Sequence, residues 1–331
     1  MKQNIALTRN PKLITLLSLI LLALIYISMF GFLEFSNEDT SKEYEAFNGT
    51  YAKPIFGNMN YCEYIPGNLP LIISIPHGGH LFPPEIPDRK QNHPNVVKSN
   101  DLKTQEIGRL IADNITLQFK GRRPYLIINH LGRSKIDVNR PIKEGVEGKD
   151  SITSIAWNDY HNFMQTAIKD VEANFGHGLL VDVHGHSHPE HFVEIGYVLS
   201  AETLSLSTSQ INANSEIHSG SSIRALYTRK SNSLQFADLL YGKTTSLGGR
   251  LQSHGYDTVP SHIHQHPLGD EKYFHGGYCV QKYGSRHAEQ IIDAIQIEIP
   301  TTLRIGNKEK RQNFISALSE SISWFLKKYY G

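Results

Sequence analysis

Four segments of this 331-residue chain combine imidazole, carboxylate and guanidinium groups at spacings that can do chemistry. In Ile75-Pro76-His77-Gly78-Gly79-His80, a histidine closes an apolar run and precedes two glycines. The glycines let the backbone turn tightly while the imidazole points into a cleft, although an ordinary turn histidine would read the same way. In Val181-Asp182-Val183-His184-Gly185-His186-Ser187-His188, residues 182, 184 and 186 share one face of an extended strand. A neutral imidazole can ligate a metal while a carboxylate fixes its orientation, and Asp182 can do this for His184 or for His77. The plainer alternative is a polar strand end. In Arg133-Ser134-Lys135-Ile136-Asp137-Val138-Asn139-Arg140-Pro141, two arginines flank Asp137 and Asn139. They form either a planar fork for a carboxylate or a structural salt-bridge cluster. In Gln296-Ile297-Glu298-Ile299-Pro300, a lone acid sits in an apolar strand. Burying a carboxylate is costly, so its pKa must rise or it must have a partner, which suits a general base beside a zinc ion.

The elements that position these groups alternate. Leu71 to Ile75 reads as a buried strand ended by Pro76, and Tyr125 to Asn129 as a second. Gly178 to His184, Phe192 to Val198 and Ala294 to Ile299 complete the strand set. Asn100 is a candidate cap for a helix with Ile107, Leu110, Ile111 and Ile115 on one face. A helix over 151–175 carries Phe163, Ala167, Ile168 and Val171 at helical spacing and stops at Gly176. Further helices are expected over 233–253 and at the C-terminus, where Phe314, Leu318, Ile322 and Phe325 form a stripe. Residues 200–222, rich in Ser, Thr and Asn, read as a loop or lid. Strands alternating with helices imply an α/β fold with a mostly parallel sheet covered on both faces. Ligands bind such sheets outside the carboxyl ends of the strands, where His77, Asp182, His184 and Glu298 all fall.

Leu13 to Leu33 is 21 residues without a charge. At about 1.5 Å per residue it is long enough to span a hydrocarbon core of about 30 Å. Lys2, Arg9 and Lys12 precede it, and Glu34, Glu38 and Asp39 follow it, so the positive-inside rule puts the N-terminus in the cytosol. The expected organisation is a tail (1–12), a transmembrane signal anchor (13–33), a stalk (34–67) and a lumenal or extracellular catalytic domain (68–331). A cleaved signal peptide is the alternative, but Met29-Phe30-Gly31-Phe32 is a poor cleavage site. Sequons at Asn48 and Asn114 agree with a non-cytosolic domain. Cys62 and Cys279 are the two cysteines and can pair in an oxidising compartment.

Composition removes several functions. The 33 Lys+Arg balance 32 Asp+Glu, and no basic run exists, which argues against a nucleic-acid partner. G-x-S-x-G, Walker A, G-x-G-x-x-G, H-E-x-x-H and C-x-x-C patterns are absent. Serine hydrolases, nucleotide-binding enzymes and thiolate zinc sites therefore lack support.

Taken in order, Ser74-Ile-Pro-His77-Gly, the acid Asp101, Arg133 through Asp137-Val-Asn139-Arg140-Pro141, Asp182-Val-His184 and Gln296-Ile-Glu298-Ile resemble the N-formylglutamate amidohydrolase family over roughly residues 68–325. That family is similar in fold to the zinc carboxypeptidases, which implies a mixed, mostly parallel central sheet with helices on both faces. The resemblance implies one Zn2+ ion held by His77, Asp101 and His184, with His80 or Glu85 as rivals for the third position. It implies Glu298 as general base, Arg133 as the partner of the carbonyl or oxyanion, and Asn139 and Arg140 as readers of a substrate carboxylate. Asp182 and Asp137 are the supporting carboxylates. The expected reaction is hydrolysis of an amide bond in an N-acyl amino acid or small peptide-like substrate. Two alternatives stand beside it: an inactive, membrane-anchored ectodomain that binds a ligand or metal, and a carboxypeptidase-like peptidase.

Overall fold

A computed structural model describes residues 52–90, 96–147 and 151–331. The apolar run 13–33, most of the expected stalk and the Asn48 sequon lie outside the described residues. Among the described residues no helix is long and apolar enough to cross a membrane.

Eight strands form one sheet: β1 (Ile55–Phe56), β2 (Cys62–Ile65), β3 (Leu71–Ile75), β4 (Tyr125–Asn129), β5 (Gly178–His186), β6 (Val193–Gly196), β7 (Thr258–Val259) and β8 (Ile292–Pro300). Their order is β1-β2-β4-β3-β5-β8-β6-β7. The central run β4-β3-β5-β8 is parallel throughout, whereas β1-β2, β2-β4 and β6-β8 are antiparallel. The sheet is thus mixed and mostly parallel. The folded unit begins earlier than residue 68, because β1 and β2 come from the stretch expected to be a stalk.

Alternation along the strands sorts residues onto two faces. Leu71, Ile73, Ile75, Leu179, Val181, Val183, Ile295, Ile297 and Ile299 pack under α1 (Thr104–Gln118) and the C-terminal α3 (Lys308–Tyr330). Ile72, Leu180, Ile292 and Ala294 pack under α2 (Ile152–Phe175), against Trp157, Tyr160, Met164 and Val171. Each fully buried Leu or Ile contributes about 1.5–3 kcal/mol by leaving water, so both faces hold the sheet firmly. The α2 face turns polar toward the carboxyl ends of the strands, at Ser74, Asp182, His184, His186, Gln296 and Glu298.

The helix α2 begins at Ser151, whose hydroxyl accepts from Ser154 N, and ends at Gly176 with φ 72°, a left-handed conformation that suits glycine. Three sequence expectations change. Asn100 does not cap α1, which starts at Thr104 after Lys103; its side chain instead donates to Gly79 O and accepts from Arg133 N. Residues 200–222 are not a loop but include three short helices capped by Ser200, Ser207 and Asn214, so their Ser and Asn content is capping chemistry. The helix expected over 233–253 is two pieces, Phe236–Tyr241 and Leu247–Ser253, with extended backbone at Gly242 between them.

Candidate metal centre and active site

Three potential metal-ligand atoms face one another at the carboxyl end of the sheet. His77 leaves the end of β3, and a Cβ on Gly79 would overlap the Leu131 carbonyl oxygen, so glycine is needed for this turn. Asp101 is pinned in the loop before α1: its N–H donates to His77 O (3.0 Å), and its carbonyl accepts from Thr104. His184 stands on β5. His77 Nδ1 and His184 Nδ1 are 3.1 Å apart, and each is 3.3 Å from Asp101 Oδ2. All three side chains are buried.

The outer nitrogens explain why the inner ones point at one place. His77 Nε2 lies 2.7 Å from Asp137 Oδ1, and His184 Nε2 lies 2.8 Å from Asp182 Oδ2. An ionised carboxylate only accepts, so each imidazole donates from Nε2, and Nδ1 is the nitrogen left to ligate a metal. Burial lowers the pKa of His184, but Asp182, Asp101 and Glu298 outweigh it and raise it well above its ordinary value, so in the metal-free protein its Nδ1 holds a proton that a metal would displace. Asp182 is fixed by Ser74 Oγ (2.6 Å), itself bonded to Tyr160 OH (2.6 Å). Asp137 accepts from Arg133 Nε (3.1 Å) and from Asn139 N (3.0 Å). Burial opposes the ionisation of Asp101, but His77, His184 and Arg133 outweigh it and hold this carboxyl below its ordinary range. Burial likewise opposes Asp137, and His77, Arg133 and Arg89 overcome it.

Three potential ligand atoms this close need a cation among them, a proton on an imidazole in the metal-free protein or a metal in its place. A tetrahedral zinc with bonds of about 2.0–2.1 Å separates its ligand atoms by about 3.3–3.4 Å. The observed 3.1, 3.3 and 3.3 Å match one face of such a tetrahedron. Two imidazoles and one carboxylate are a donor set zinc accepts, and carboxylate-held imidazoles are the usual support of such ligands. The residues therefore fit the metal.

Glu298 occupies β8 directly across from His184 in the β5–β8 register. Its Oε1 accepts from Gln296 Nε2 (3.0 Å), while its buried Oε2 has no hydrogen-bond partner among the described residues. Burial, then the Asp101 and Glu194 charges, raise its pKa from 4.5 to about 8 against the pull of His184 and Arg133. A buried carboxylate oxygen without a partner can take and return a proton. Arg133 donates to Asp137 and, at 3.4 Å, to Asp101 Oδ1; its Nη2 makes no hydrogen bond among the described residues.

Other expected site residues fall elsewhere. His80 and Glu85 are exposed and outside the cluster, which leaves Asp101 as the carboxylate beside the histidines. The amide oxygen of Asn139 accepts from Cys279 N (2.7 Å), and its nitrogen abuts His184 Nε2 (3.2 Å). This side chain is thus spent on packing His184 rather than on reading a carboxylate. Arg140 is exposed, and its side chain makes no ion pair among the described residues. Cys62 and Cys279 are both buried and free, so the pairing left open by the sequence is not formed. Asn114 lies within α1, its amide 3.4 Å from Ser319 Oγ on α3, a packed helix surface rather than the exposed loop a glycan needs. Sequence reasoning assigns no role to Ser74, Tyr160, Arg89 or Glu194. Glu194 has a readable signal, since Val-Glu-Ile repeats the lone-acid pattern of Ile-Glu-Ile at 297–299.

No family model matches this chain, and no curated protein matches it. Among solved structures it is similar to an N-formylglutamate amidohydrolase from Ralstonia eutropha, at 12% identity and TM-score 0.47, covering 80% of this chain and 96% of that one. A gene product of Agrobacterium tumefaciens aligns at 12% identity and TM-score 0.41, covering 80% and 91%. The CwlD amidase of Clostridioides difficile, solved with the GerS lipoprotein, aligns at 12% and TM-score 0.30, covering 78% and 97%. Likeness this remote identifies no function, and the chemistry must come from the residues of the pocket itself.

Proposed function

We propose that the chain is a zinc-dependent hydrolase of a linear amide bond, acting on an N-acyl amino acid or a small peptide-like substrate with a carboxylate. The observation that carries this reading is the triangle of His77 Nδ1, His184 Nδ1 and Asp101 Oδ2 beside the unpartnered Oε2 of Glu298. When bound there, zinc supplies a Lewis acid that polarises a carbonyl and makes water acidic near neutral pH.

The chain's own residues do the rest. Asp137 and Asp182 accept from Nε2 of the two imidazoles and so aim both Nδ1 atoms at the metal position. Glu298 Oε2 takes a proton from the attacking water and returns it to the leaving amine nitrogen. The free Nη2 of Arg133 offers a fixed donor for charge that grows on the carbonyl oxygen. Arg140, exposed and with no ion pair among the described residues, supplies a cation for the substrate carboxylate at the rim. The apolar run 13–33 is read as a single membrane anchor that leaves the catalytic domain lumenal or extracellular.

The test is a panel of N-formyl and N-acetyl amino acids and dipeptides, given to the full-length chain with and without chelator. Amine release that stops with chelator and returns with zinc supports the reading. Absence of turnover across the panel by the zinc-loaded protein would overturn it in favour of a binding ectodomain.

A further inference from the structure

A buried guanidinium stands behind the site. Arg304 ends the short helix Thr301–Arg304 that follows β8, and it is only 3% exposed. A buried arginine ordinarily meets a carboxylate, yet Arg304 makes no ion pair among the described residues. Its donors go to backbone carbonyls instead: Nε to Ile299 O (2.9 Å), Nη1 to Leu102 O (2.6 Å) and Nη2 to His186 O (3.0 Å). Nη2 also donates to Thr301 Oγ1 (3.2 Å), which donates in turn to His186 O (2.9 Å).

The three carbonyls belong to three separate segments, and each lies one or two residues from a site side chain. Leu102 follows Asp101, His186 stands two residues after His184 on β5, and Ile299 follows Glu298 on β8. The guanidinium is a rigid planar fork, so bonding all three fixes them relative to one another. Among the described residues no hydrogen bond joins the Glu298 side chain to His77, Asp101 or His184, so backbone placement sets the distance from base to ligands. Gly185 makes room for the fork: a Cβ there would lie 2.2 Å from Arg304 Nε. The Gly185 N–H donates to Asp101 Oδ2 (3.2 Å), the candidate ligand atom. Burial lowers the pKa of Arg304, but the charges of Asp101 and Glu298 work against that, so the cation also steadies both carboxylates.

We propose that Arg304 is a positioning residue of the site, a clamp that sets the spacing of Asp101, His184 and Glu298 through the three backbones that carry them. The inference rests on the reading of this cluster as a zinc site with Glu298 as its base. Arg304 acts through its neighbours. Its removal therefore loosens the zinc and misplaces the base, while the groups that do the chemistry all remain.

The experiment compares the full-length wild type with Arg304→Lys and Arg304→Met, and uses Arg229→Met as a control for stability alone. Arg229 pairs with buried Asp293 (3.0 Å), five residues before Glu298 on β8 and thus about 17 Å along the strand. Each protein is measured for Tm, for zinc affinity by competition with a chromophoric chelator, and for kcat and KM on the N-formyl and N-acetyl amino acid panel. Arg304→Met should weaken zinc about 10–100-fold and lower kcat by a similar factor, with KM little changed. Arg304→Lys keeps the charge but loses the fork, so it should fall between Arg304→Met and wild type. Arg229→Met should lower Tm and leave zinc affinity and kcat as they are. If Arg304→Met folds poorly, Arg304→Lys decides alone. Wild-type zinc affinity and kcat in the folded Arg304 variants would overturn the clamp and leave the hydrolase standing. Failure of both Arg304 variants to fold would assign Arg304 to the fold alone and overturn it too. Zinc bound by wild type without turnover would sink the hydrolase reading, while the affinities would still decide the clamp.

Discussion

Replacing Glu298 by Gln should lower activity and at the same time remove a pH-dependent stability cost. Burial leads the causes that raise this carboxyl from 4.5 to about 8 in the metal-free protein. A raised acid binds its proton more tightly folded than unfolded. Its contribution to stability is therefore complete below about pH 4.5 and is lost as pH rises through about 8. At about 1.36 kcal/mol per pH unit, the gap between 4.5 and about 8 sets an upper limit of about 5 kcal/mol, of which about 3 kcal/mol is lost by pH 7. The amide of the Glu298→Gln variant would keep the acceptor for Gln296 but put a nitrogen where Oε2 now lacks a partner, a cost of about 1–3 kcal/mol. Absolute stability thus mixes two effects, and the slope against pH isolates the ionisation. The assay is denaturant unfolding of metal-free wild type and Glu298→Gln from pH 5 to 8. The stability of wild type should fall relative to the variant by up to about 3–5 kcal/mol across that range. Turnover should drop about 10²–10⁴-fold with zinc retained. Parallel stability profiles together with preserved turnover would refute both the burial argument and the proton-transfer role.

Other outcomes follow from the same geometry. Asp182→Asn keeps an acceptor for His184 and lets Ser74 reverse its hydrogen bond, so the fold should survive; zinc affinity should fall about 10–100-fold, read by competition with a chromophoric chelator. Arg133→Ala should lower kcat about 10²–10³-fold with KM less affected, and Arg133→Lys should recover part of it, measured by steady-state kinetics. Glu63 pairs with Arg109 and with His130; burial opposes its ionisation, but these partners lower its pKa from 4.5 to about 2. A lowered acid stabilises the fold above its ordinary value, so acid unfolding should show a component lost between about pH 4.5 and 2 that Glu63→Gln removes.

Much of the site is legible in the sequence because strand alternation and chemistry agree. Asp182 and His184 share a face at the end of β5, and a lone glutamate in Gln296-Ile-Glu298-Ile must be buried by the same alternation. The end of the β3 strand at Pro76 places His77 at the cleft. What periodicity does not encode is which carboxylate meets which imidazole. In sequence Asp182 suits either histidine, and only the parallel register of β3 with β5 sets Ser74 beside it and leaves His77 to Asp137. The role of Asn139 depends on Cys279 arriving from 140 residues away, a contact that no local pattern carries. Helices differ in how plainly they show: the one that follows Ser151 carries a long apolar stripe, whereas Ser200, Ser207 and Asn214 begin helices too short to show one. Asn100 has cap chemistry, but it joins the Gly79 turn to Arg133, a tertiary use of the same side chain.

The most direct test of the central claim is the difference in zinc content between the full-length chain and its His77→Ala/His184→Ala variant, both reloaded and desalted at neutral pH. Three potential ligand atoms at 3.1–3.3 Å predict that the variant loses about one zinc per chain while staying folded. Equal zinc in the two proteins, or none in either, would contradict it.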